Sequence, residues 1–165
     1  MPRRIEYRLF LNVMTRYVHE PLPEGMTLRQ PEYRDRALLA ELMLNSYEGT
    51  IDYKGERLAD ALEEVEDWFK GRNGEALKDC SWLLEDDKGL AAVCLAGWWD
   101  TRECPIINFV MTRPDLKGSG LGSAVMQLAL DSLVDKGLSE VRAMVTEGNA
   151  PSEKLCDRFG FMPVA

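Results

Sequence analysis

Hydrophobic residues recur along the first half of the chain with the periods of strands and helices. Residues 5–18 are rich in β-branched and aromatic types and predict a strand, and residues 26–30 predict a shorter one. Residues 34–47 and 56–70 carry apolar side chains three and four positions apart, as amphipathic helices do. We interpret the acidic run Glu63, Glu64, Glu66 and Asp67 as a solvated face. In the first helix Leu38, Leu42 and Asn45 lie on one line and Leu39, Met43 and Tyr47 lie beside it. The apolar stripe of the second helix is Leu58, Leu62, Val65 and Phe69.

The second half begins with strands and then changes its order. Residues 81–85 and 90–98 predict two strands joined by a hairpin loop, and residues 106–112 predict a third. Antiparallel strands followed by a β-α-β unit predict an α+β fold with a mixed sheet. The remaining predicted elements are a glycine-rich turn, a helix at 120–133, a strand at 140–145 and a helix at 151–159.

Length and composition narrow the class of protein. A chain of 165 residues is the size of one domain, so we predict a single domain over residues 1–165. The longest nearly uncharged run, residues 89–99, is about half of the ~20 residues of a membrane-spanning helix, which argues against a membrane protein. The N-terminal residues lack the apolar segment of a secretion signal, and a cytoplasmic location is expected.

The net charge of the chain limits the kinds of molecule that it is expected to bind. The net charge is −8, from 20 Lys and Arg against 28 Asp and Glu, and nucleic acid requires a basic face instead. A cationic substrate fits this balance, although an acidic surface also serves solubility alone. The cysteines are Cys80, Cys94, Cys104 and Cys156, without a C-x-x-C pair, and are expected as reduced thiols.

Histidine usage argues against a metal site. His19 is the only histidine and has no neighbouring ligands, so no metal is predicted. Two interpretations of His19 stay open at this point. It is either an ordinary surface or packing residue, or the base of a Ser-His or Cys-His scheme.

The most informative segment runs from Thr112 to Gly122 and reads TRPDLKGSGLG. Glycines let a backbone turn sharply beside a ligand, and the first N–H groups of the following helix are unpaired at its positive end. The segment therefore suits a phosphate or pyrophosphate, although it also suits a simple turn. Lys117 precedes the glycines, which excludes a P-loop, and the spacing of Gly118, Gly120 and Gly122 excludes a dinucleotide fingerprint.

This run, with NAPSEKLCDRFGF about 27 residues after Gly122, resembles the GNAT superfamily of acetyl-CoA-dependent N-acetyltransferases. The segment from Lys117 to Gly122 matches the hallmark Arg/Gln-x-x-Gly-x-Gly/Ala, except that Lys replaces Arg or Gln. The resemblance is strong over residues 105–161 and looser upstream, from Met26. It implies the GNAT fold: a central mixed, mostly antiparallel sheet flanked by helices, with an acetyl-CoA-binding core at residues 105–161.

The resemblance also implies how acetyl-CoA binds. Amides of the glycine-rich loop hold the pyrophosphate, and the strand before it holds the pantetheine in a gap beside residues 140–145. An N–H near Val110 or Met111 binds the developing oxyanion. Asn149 and Lys154 match positions that contact the pantetheine arm and the adenosine phosphates. Lys154 is equally consistent with an ordinary residue on the surface of a helix. The matched cofactor-binding positions are Val110, Met111, Thr112, Lys117, Gly118, Ser119, Gly120, Leu121, Gly122, Asn149 and Lys154.

Cys156 stands where many members of the superfamily have a tyrosine that protonates the leaving thiolate. A thiol has a pKa of about 8.5 against about 10 for a phenol, so it is acidic enough, but its reach is shorter. Three roles stay open: a general acid, a packing residue beside the cofactor sulfur, or a bystander with water supplying the proton.

The general base is not evident from the sequence. Residues 106–112 begin without a carboxylate, so Glu103 is the first candidate, with Asp100, Glu48 and Asp52 as rivals. Aromatic residues nearby suit either an acceptor pocket or the core. They are Tyr47, Tyr53, Trp98 and Trp99.

The short C-terminal segment leaves one sheet edge open. Members of the superfamily usually continue past Gly-Phe into further strands, whereas only residues 162–165 follow here. We expect residues 5–18, within an N-terminal extension at residues 1–25, to cover this edge. The strand comes either from the same chain or from the partner in a homodimer.

The leading functional hypothesis is an acetyl-CoA-dependent transfer of an acetyl group to a primary amine by direct attack in a ternary complex. The alternative is an acyl-CoA-binding or regulatory module with little catalysis, which the replacement of tyrosine by Cys156 favours. A third hypothesis is an acyltransferase for a longer acyl chain or a hydroxyl acceptor. Small-molecule and peptide amines are equally possible acceptors.

Overall fold

The computed structural model describes residues 2–13 and 21–165. The strands are β1 (Arg4–Phe10), β2 (Thr27–Arg29), β3 (Trp82–Asp86), β4 (Gly89–Trp99), β5 (Cys104–Thr112), β6 (Glu140–Thr146) and β7 (Met162–Pro163), and the helices are α1 (Arg36–Tyr47), α2 (Leu58–Phe69), α3 (Leu121–Asp135) and α4 (Ala150–Phe159). Within the described residues, these strands form one sheet in the order β2-β3-β4-β5-β6-β1-β7. Neighbouring strands are antiparallel except β5 and β6, which confirms the predicted mixed, mostly antiparallel α+β sheet.

The helices cover both faces of the sheet. Helices α1 and α2 pack on one face, where Leu39, Val65 and Trp68 are buried beside Leu95 and Met111. Helices α3 and α4 cover the other face with a second apolar cluster. Strand β4 is buried along most of its length because helices lie on both of its sides, which explains its continuous apolar sequence. In the part of the chain that the structure describes, no helix combines the length and apolarity that crossing a bilayer needs.

The predicted elements differ from the observed ones mainly at their ends. The N-terminal strand stops at Phe10 rather than at residue 18, and the short 3-10 turn Leu11–Val13 follows it. The rest of the predicted strand and His19 lie outside the described residues. Leu38 and Leu58 were assigned to apolar stripes but are about half exposed, because the buried faces of their helices are turned away from these positions.

The edge of the sheet beside β6 is covered by β1 of the same chain. All of β1 pairs antiparallel with β6, and the two residues of β7 pair with the outer side of β1. The Glu6 carboxylate on β1 accepts hydrogen bonds from Arg142 on β6 and from Arg102 next to β5. Of the two arrangements that the sequence left open, the structure shows the strand in cis.

Strands β5 and β6 separate soon after they meet. They pair only where Ile106 faces Arg142 and Ile107 faces Ala143. The next residue, Asn108, has no partner on β4 and forms a β-bulge. A bulge bends its strand and increases the local twist. Beyond Asn108 the strands diverge, and the cleft between them leads to the N-termini of α3 and α4.

We predict that Gly97→Ala destabilises the protein through this bulge. A Cβ at Gly97 would lie 2.3 Å from Oδ1 of Asn108, which accepts a hydrogen bond from Nε1 of Trp68 at 3.2 Å. Overpacking of this kind costs about 1–3 kcal/mol of the free energy of unfolding, measurable by urea denaturation. In an Asn108→Ala background the contact with Oδ1 is gone and only the 3.3 Å contact with the carbonyl oxygen of Glu75 remains, so the same change costs at least about 1 kcal/mol less. Equal costs in the two backgrounds would contradict this account of the bulge.

Candidate functional site

The cleft between β5 and β6 opens into a cavity of about 410 Å³. Its walls come from these two strands, from the end of α1, from the loop between α1 and α2, and from the first turns of α4. Apolar and polar groups are mixed on this wall. Its polar and sulfur-containing residues include Arg4, Tyr47, Asp52, Tyr53, Lys54, Glu56, Glu64, Asn108, Asn149 and Cys156.

The backbone of β5 presents amides to this cleft. The N–H of Arg113 donates to a carbonyl of β4 at 2.8 Å. Because amides alternate in direction along an antiparallel strand, Met111 also faces β4, whereas Val110 and Thr112 face the cleft. In agreement, the N–H of Thr112 donates to Oγ of Ser46 on α1 at 3.4 Å. Of the two oxyanion donors that the resemblance implies, the geometry favours Val110 over Met111.

The glycine-rich loop leaves unpaired amides at the N-terminus of α3. The amides of Lys117 and Ser119 turn into the loop and donate to the carbonyls of Pro114 and Leu116 at 3.4 and 3.2 Å. These two amides are therefore not presented to a ligand as the family motif implies. The amides of Gly118, Gly120, Leu121 and Gly122, at the end of the loop and the start of α3, donate no hydrogen bond to any residue within 2–13 and 21–165.

The loop glycines keep this surface bare. Gly118 and Gly120 have φ angles of 83° and 86°, a left-handed conformation that glycine adopts without a steric penalty. A Cβ at Gly122 would lie 3.3 Å from Oγ1 of Thr112 and 3.6 Å from Cγ1 of Val110, so the first turn of α3 lies directly against β5. Unpaired amides at the positive end of a helix attract an anion. Val110 also lines the cavity, so the first turn of α3 lies next to the cavity wall.

Arg113 holds the entry to this loop in place. Its guanidinium donates to both carboxylate oxygens of Asp86 in the β3–β4 turn and to Asp115 at the start of the loop. The hydrogen bonds from Arg113 lower the pKa of Asp86 below its usual range, so this carboxylate stays ionised at neutral pH. The position of the loop is therefore tied to the β3–β4 hairpin on the other side of β5.

Lys117, the residue that departs from the family motif, connects the loop to α1. Its Nζ donates to the carbonyl of Ser46 at 2.6 Å. Ser46 is buried in the last turn of α1, where carbonyls lack helical partners and carry partial negative charge. The lysine thus acts here through its side chain, by fixing the end of α1 over the cleft.

Asn149 joins α4 to the loop after α1. Its Oδ1 accepts from the N–H of Ser152 at 3.3 Å and so caps α4, while its Nδ2 donates to Oδ2 of Asp52 at 2.6 Å. This contact spans the mouth of the cavity. Lys154 is exposed on α4 and does not line the cavity, which agrees with its interpretation as a surface residue.

Cys156 lies on α4 against the cavity and is almost completely buried. Burial raises the pKa of its thiol to about 12. An ordinary thiol has a pKa of about 8.5. The Cys156 thiol is therefore a weaker acid than the thiol of the leaving group, and it is poorly suited to protonate the leaving thiolate. The geometry favours the packing role among the three that the sequence left open.

The structure does not bring Glu103 to the cavity. Glu103 is exposed in the turn between β4 and β5, with a left-handed φ of 52°, because the β4–β5 hairpin carries the start of β5 away from the cleft. Asp100, Glu48, Trp98 and Trp99 are also absent from the cavity wall. Of the residues that the sequence offered as a general base or as part of an acceptor pocket, Tyr47, Tyr53 and Asp52 do line the cavity.

Sequence reasoning missed Glu64 and Arg4. Glu64 was interpreted as part of a solvated helix face, yet its turn of α2 faces the mouth of the cavity, and Arg4 reaches the same mouth from β1. Glu64 lies three residues after Ala61 on α2, and residues three apart share one face of a helix. Because Ala61 also lines the cavity, the helical spacing places Glu64 on the same side as Ala61. The contribution of β1 depends on strand pairing and had no local signal.

The described residues offer no group of three or more metal-ligating side chains. All four cysteines are buried as free thiols.

Comparisons with known proteins agree with this geometry. The chain is 32% identical over 149 residues to a mycothiol acetyltransferase of Beutenbergia cavernae, covering 88% of this chain and 48% of the relative. Among solved structures, it resembles a GCN5-related N-acetyltransferase from Sphaerobacter thermophilus, with a TM-score of 0.70, 20% identity, and coverage of 99% of this chain and 50% of the other. It also resembles yncA from Salmonella typhimurium, solved with its cofactor acetyl-CoA, with a TM-score of 0.66, 21% identity, and coverage of 86% and 82%.

The chain thus spans about half the length of the mycothiol acetyltransferase and of the Sphaerobacter protein. The likeness to solved structures concerns the fold. Residues 39–161, well over half of the chain, match the model of the acetyltransferase (GNAT) family. The chain belongs to the acetyltransferase (GNAT) family.

Proposed function

We propose that this protein transfers the acetyl group of acetyl-CoA to a primary amine by direct attack in a ternary complex. The observation that carries the proposal is the cleft between β5 and β6, with the unpaired amides of Gly118, Gly120, Leu121 and Gly122 at the N-terminus of α3, which packs against the cavity-lining Val110. An elongated cofactor with a diphosphate at one end and a thioester at the other suits this shape and charge. The Salmonella protein with the same fold was solved with acetyl-CoA.

In this proposal the loop amides bind the pyrophosphate of coenzyme A. Backbone donors at a helix N-terminus suit a group of this charge without any basic side chain. The N–H of Val110 and the carbonyl oxygen of Thr112 pair with the pantetheine, as a neighbouring strand would, because the N–H of Thr112 already donates to Ser46. The amides of Lys117 and Ser119 stabilise the loop by donating to its own carbonyls, the N–H of Met111 faces β4, and Asn149 lines the cavity.

The chemistry is the attack of a neutral amine on the thioester carbonyl. A bond forms between nitrogen and the carbonyl carbon, and the negative charge moves to the carbonyl oxygen. The carbonyl then re-forms, the C–S bond breaks to release a thiolate, and the nitrogen gives up one proton to water to become the neutral amide. The free N–H of Val110 is the donor that we assign to the developing oxyanion, a contribution that is often the largest single one in acyl transfer. With the pKa of Cys156 raised, we assign protonation of the thiolate to water.

The second candidate function is an acyl-CoA-binding module with little catalysis. The high pKa of Cys156 and the remote position of Glu103 favour it, because both candidates for proton transfer then lack that role. In either case we propose that residues 105–161 hold the cofactor, that the chain acts in the cytoplasm, and that its partner is a small-molecule or peptide amine. The acidic net charge of −8 supports a cationic acceptor rather than nucleic acid.

Thiol release distinguishes the two functions. We expect the protein to release coenzyme A from acetyl-CoA when supplied with amines from a panel of diamines, amino acids, aminoglycosides and peptides, as measured with a thiol reagent. Binding of coenzyme A by calorimetry, without thiol release from any amine, would support the binding module instead.

We predict that Gly120→Ala weakens coenzyme A binding at least about tenfold. A side chain at φ 86° shifts the backbone and redirects the amides of Leu121 and Gly122, and loss of one hydrogen bond to a charged group costs about 1.5–3 kcal/mol. The matched control is Gly25→Ala, since Gly25 has a φ of 83° and an equally open surrounding. Isothermal titration gives the dissociation constants, and equal values for the two variants would contradict the proposed cradle.

Cys156→Ala tests the assignment of the leaving-group proton. We expect kcat within about threefold of the unsubstituted protein, because a packing residue contributes no proton. General acid catalysis contributes 10²–10⁴-fold, so a loss of about a hundredfold or more would identify Cys156 as the acid. Circular dichroism melting of the variant separates such a loss from unfolding.

A further inference from the structure

Three carboxylates line the cavity, and two of them are already hydrogen-bonded. Asp52 accepts from Nδ2 of Asn149 at 2.6 Å, and Glu56 accepts from the N–H of Lys54 at 2.8 Å. Both contacts shape the loop between α1 and α2. Glu64 accepts no hydrogen bond and forms no ion pair with any residue in the described ranges, so both oxygens of its carboxylate are available to a ligand.

Glu64 is placed by a rigid element. It lies in the middle of α2, and the residue that follows it, Val65, is fully buried against the sheet. Ala61, one turn earlier, lines the same cavity. The helix therefore holds the exposed Glu64 side chain on the cavity wall, which Tyr47 and Arg4 also line.

The surroundings of Glu64 favour its neutral form. Partial desolvation by the cavity wall raises the pKa of its carboxyl, the nearby charge of Glu56 raises it further, and Arg4 opposes the shift. A base works best when its pKa approaches the working pH. Burial raises the pKa of the Tyr47 phenol far above neutrality, so Tyr47 remains protonated and does not compete for this role.

We infer that Glu64 is the general base that takes the proton from the acceptor ammonium, directly or through one water. This inference rests on the proposed function. The first proton moves from the ammonium to the Glu64 carboxylate, and the nitrogen lone pair then attacks the thioester carbon. As the C–S bond breaks, the second nitrogen proton passes through water to the leaving thiolate. The acceptor class is an amine that is protonated in solution, and it enters at the mouth formed by Tyr47, Arg4 and Glu64.

The test compares Glu64→Gln with Glu63→Gln, using acetyl-CoA and the amine of the panel that gives the fastest thiol release. Glu63 lies on the same helix, is exposed and does not line the cavity. We expect Glu64→Gln to lower kcat at pH 7 about a hundredfold while the dissociation constant of coenzyme A stays within about twofold. The Glu63→Gln variant retains full activity.

The pH profile and rescue separate base catalysis from a structural effect. The base works when deprotonated, so the rate of the unsubstituted protein rises with pH through the titration of Glu64, and this rise is absent in Glu64→Gln. Added formate restores part of the rate of Glu64→Ala. An unchanged rate and pH profile in Glu64→Gln overturns the inference and leaves the proposed function intact, whereas no thiol release from the unsubstituted protein with any amine overturns both.

Discussion

The separation of β5 from β6 is the constraint on which the rest of the site depends. Two parallel strands in the middle of a sheet normally satisfy each other's backbone groups along their length, and buried backbone groups need partners. Here the pairing covers only Ile106 and Ile107 on β5. The unpaired stretch after Asn108 provides backbone donors in a cleft, without any dedicated polar side chain.

Several long-range contacts hold this cleft open in a defined shape. Arg113 ties the glycine-rich loop to the β3–β4 hairpin, Lys117 ties it to the last turn of α1, and Asp52 ties the loop after α1 to Asn149. The proposed cofactor-binding and acceptor-binding sides of the cavity are therefore held in place by the same contacts. A structural change at the end of α1 is expected to reach both sides, since Ser46 contacts both Lys117 and Thr112.

What the sequence could predict was local. The glycine spacing after Thr112, the strand before it and the helix after it lie within one β-α unit, so a single stretch of sequence was enough to predict an anion site there. The periodicity predicted the elements and the mixed sheet, although Leu38 and Leu58 proved exposed, because period alone does not say which side of a stripe meets the sheet.

The catalytic assignments depended on contacts between distant segments and could not be read in the same way. Lys117 and Ser46 are 71 residues apart, and Asn149 and Asp52 are 97 apart. Glu103 is near β5 in sequence but sits at the far end of the strand, whereas Glu64 comes from a helix packed over the cleft. Proximity along the chain was a poor guide to proximity in the cavity.

Backbone amide NMR on addition of coenzyme A tests the central claim most directly, because it reports on individual positions. The account predicts large chemical-shift changes at Gly118, Gly120 and Val110, and small ones at Met111, whose N–H faces β4 although it lies next to Val110. Changes confined to another surface, with the loop and Val110 unaffected at saturating coenzyme A, would contradict it.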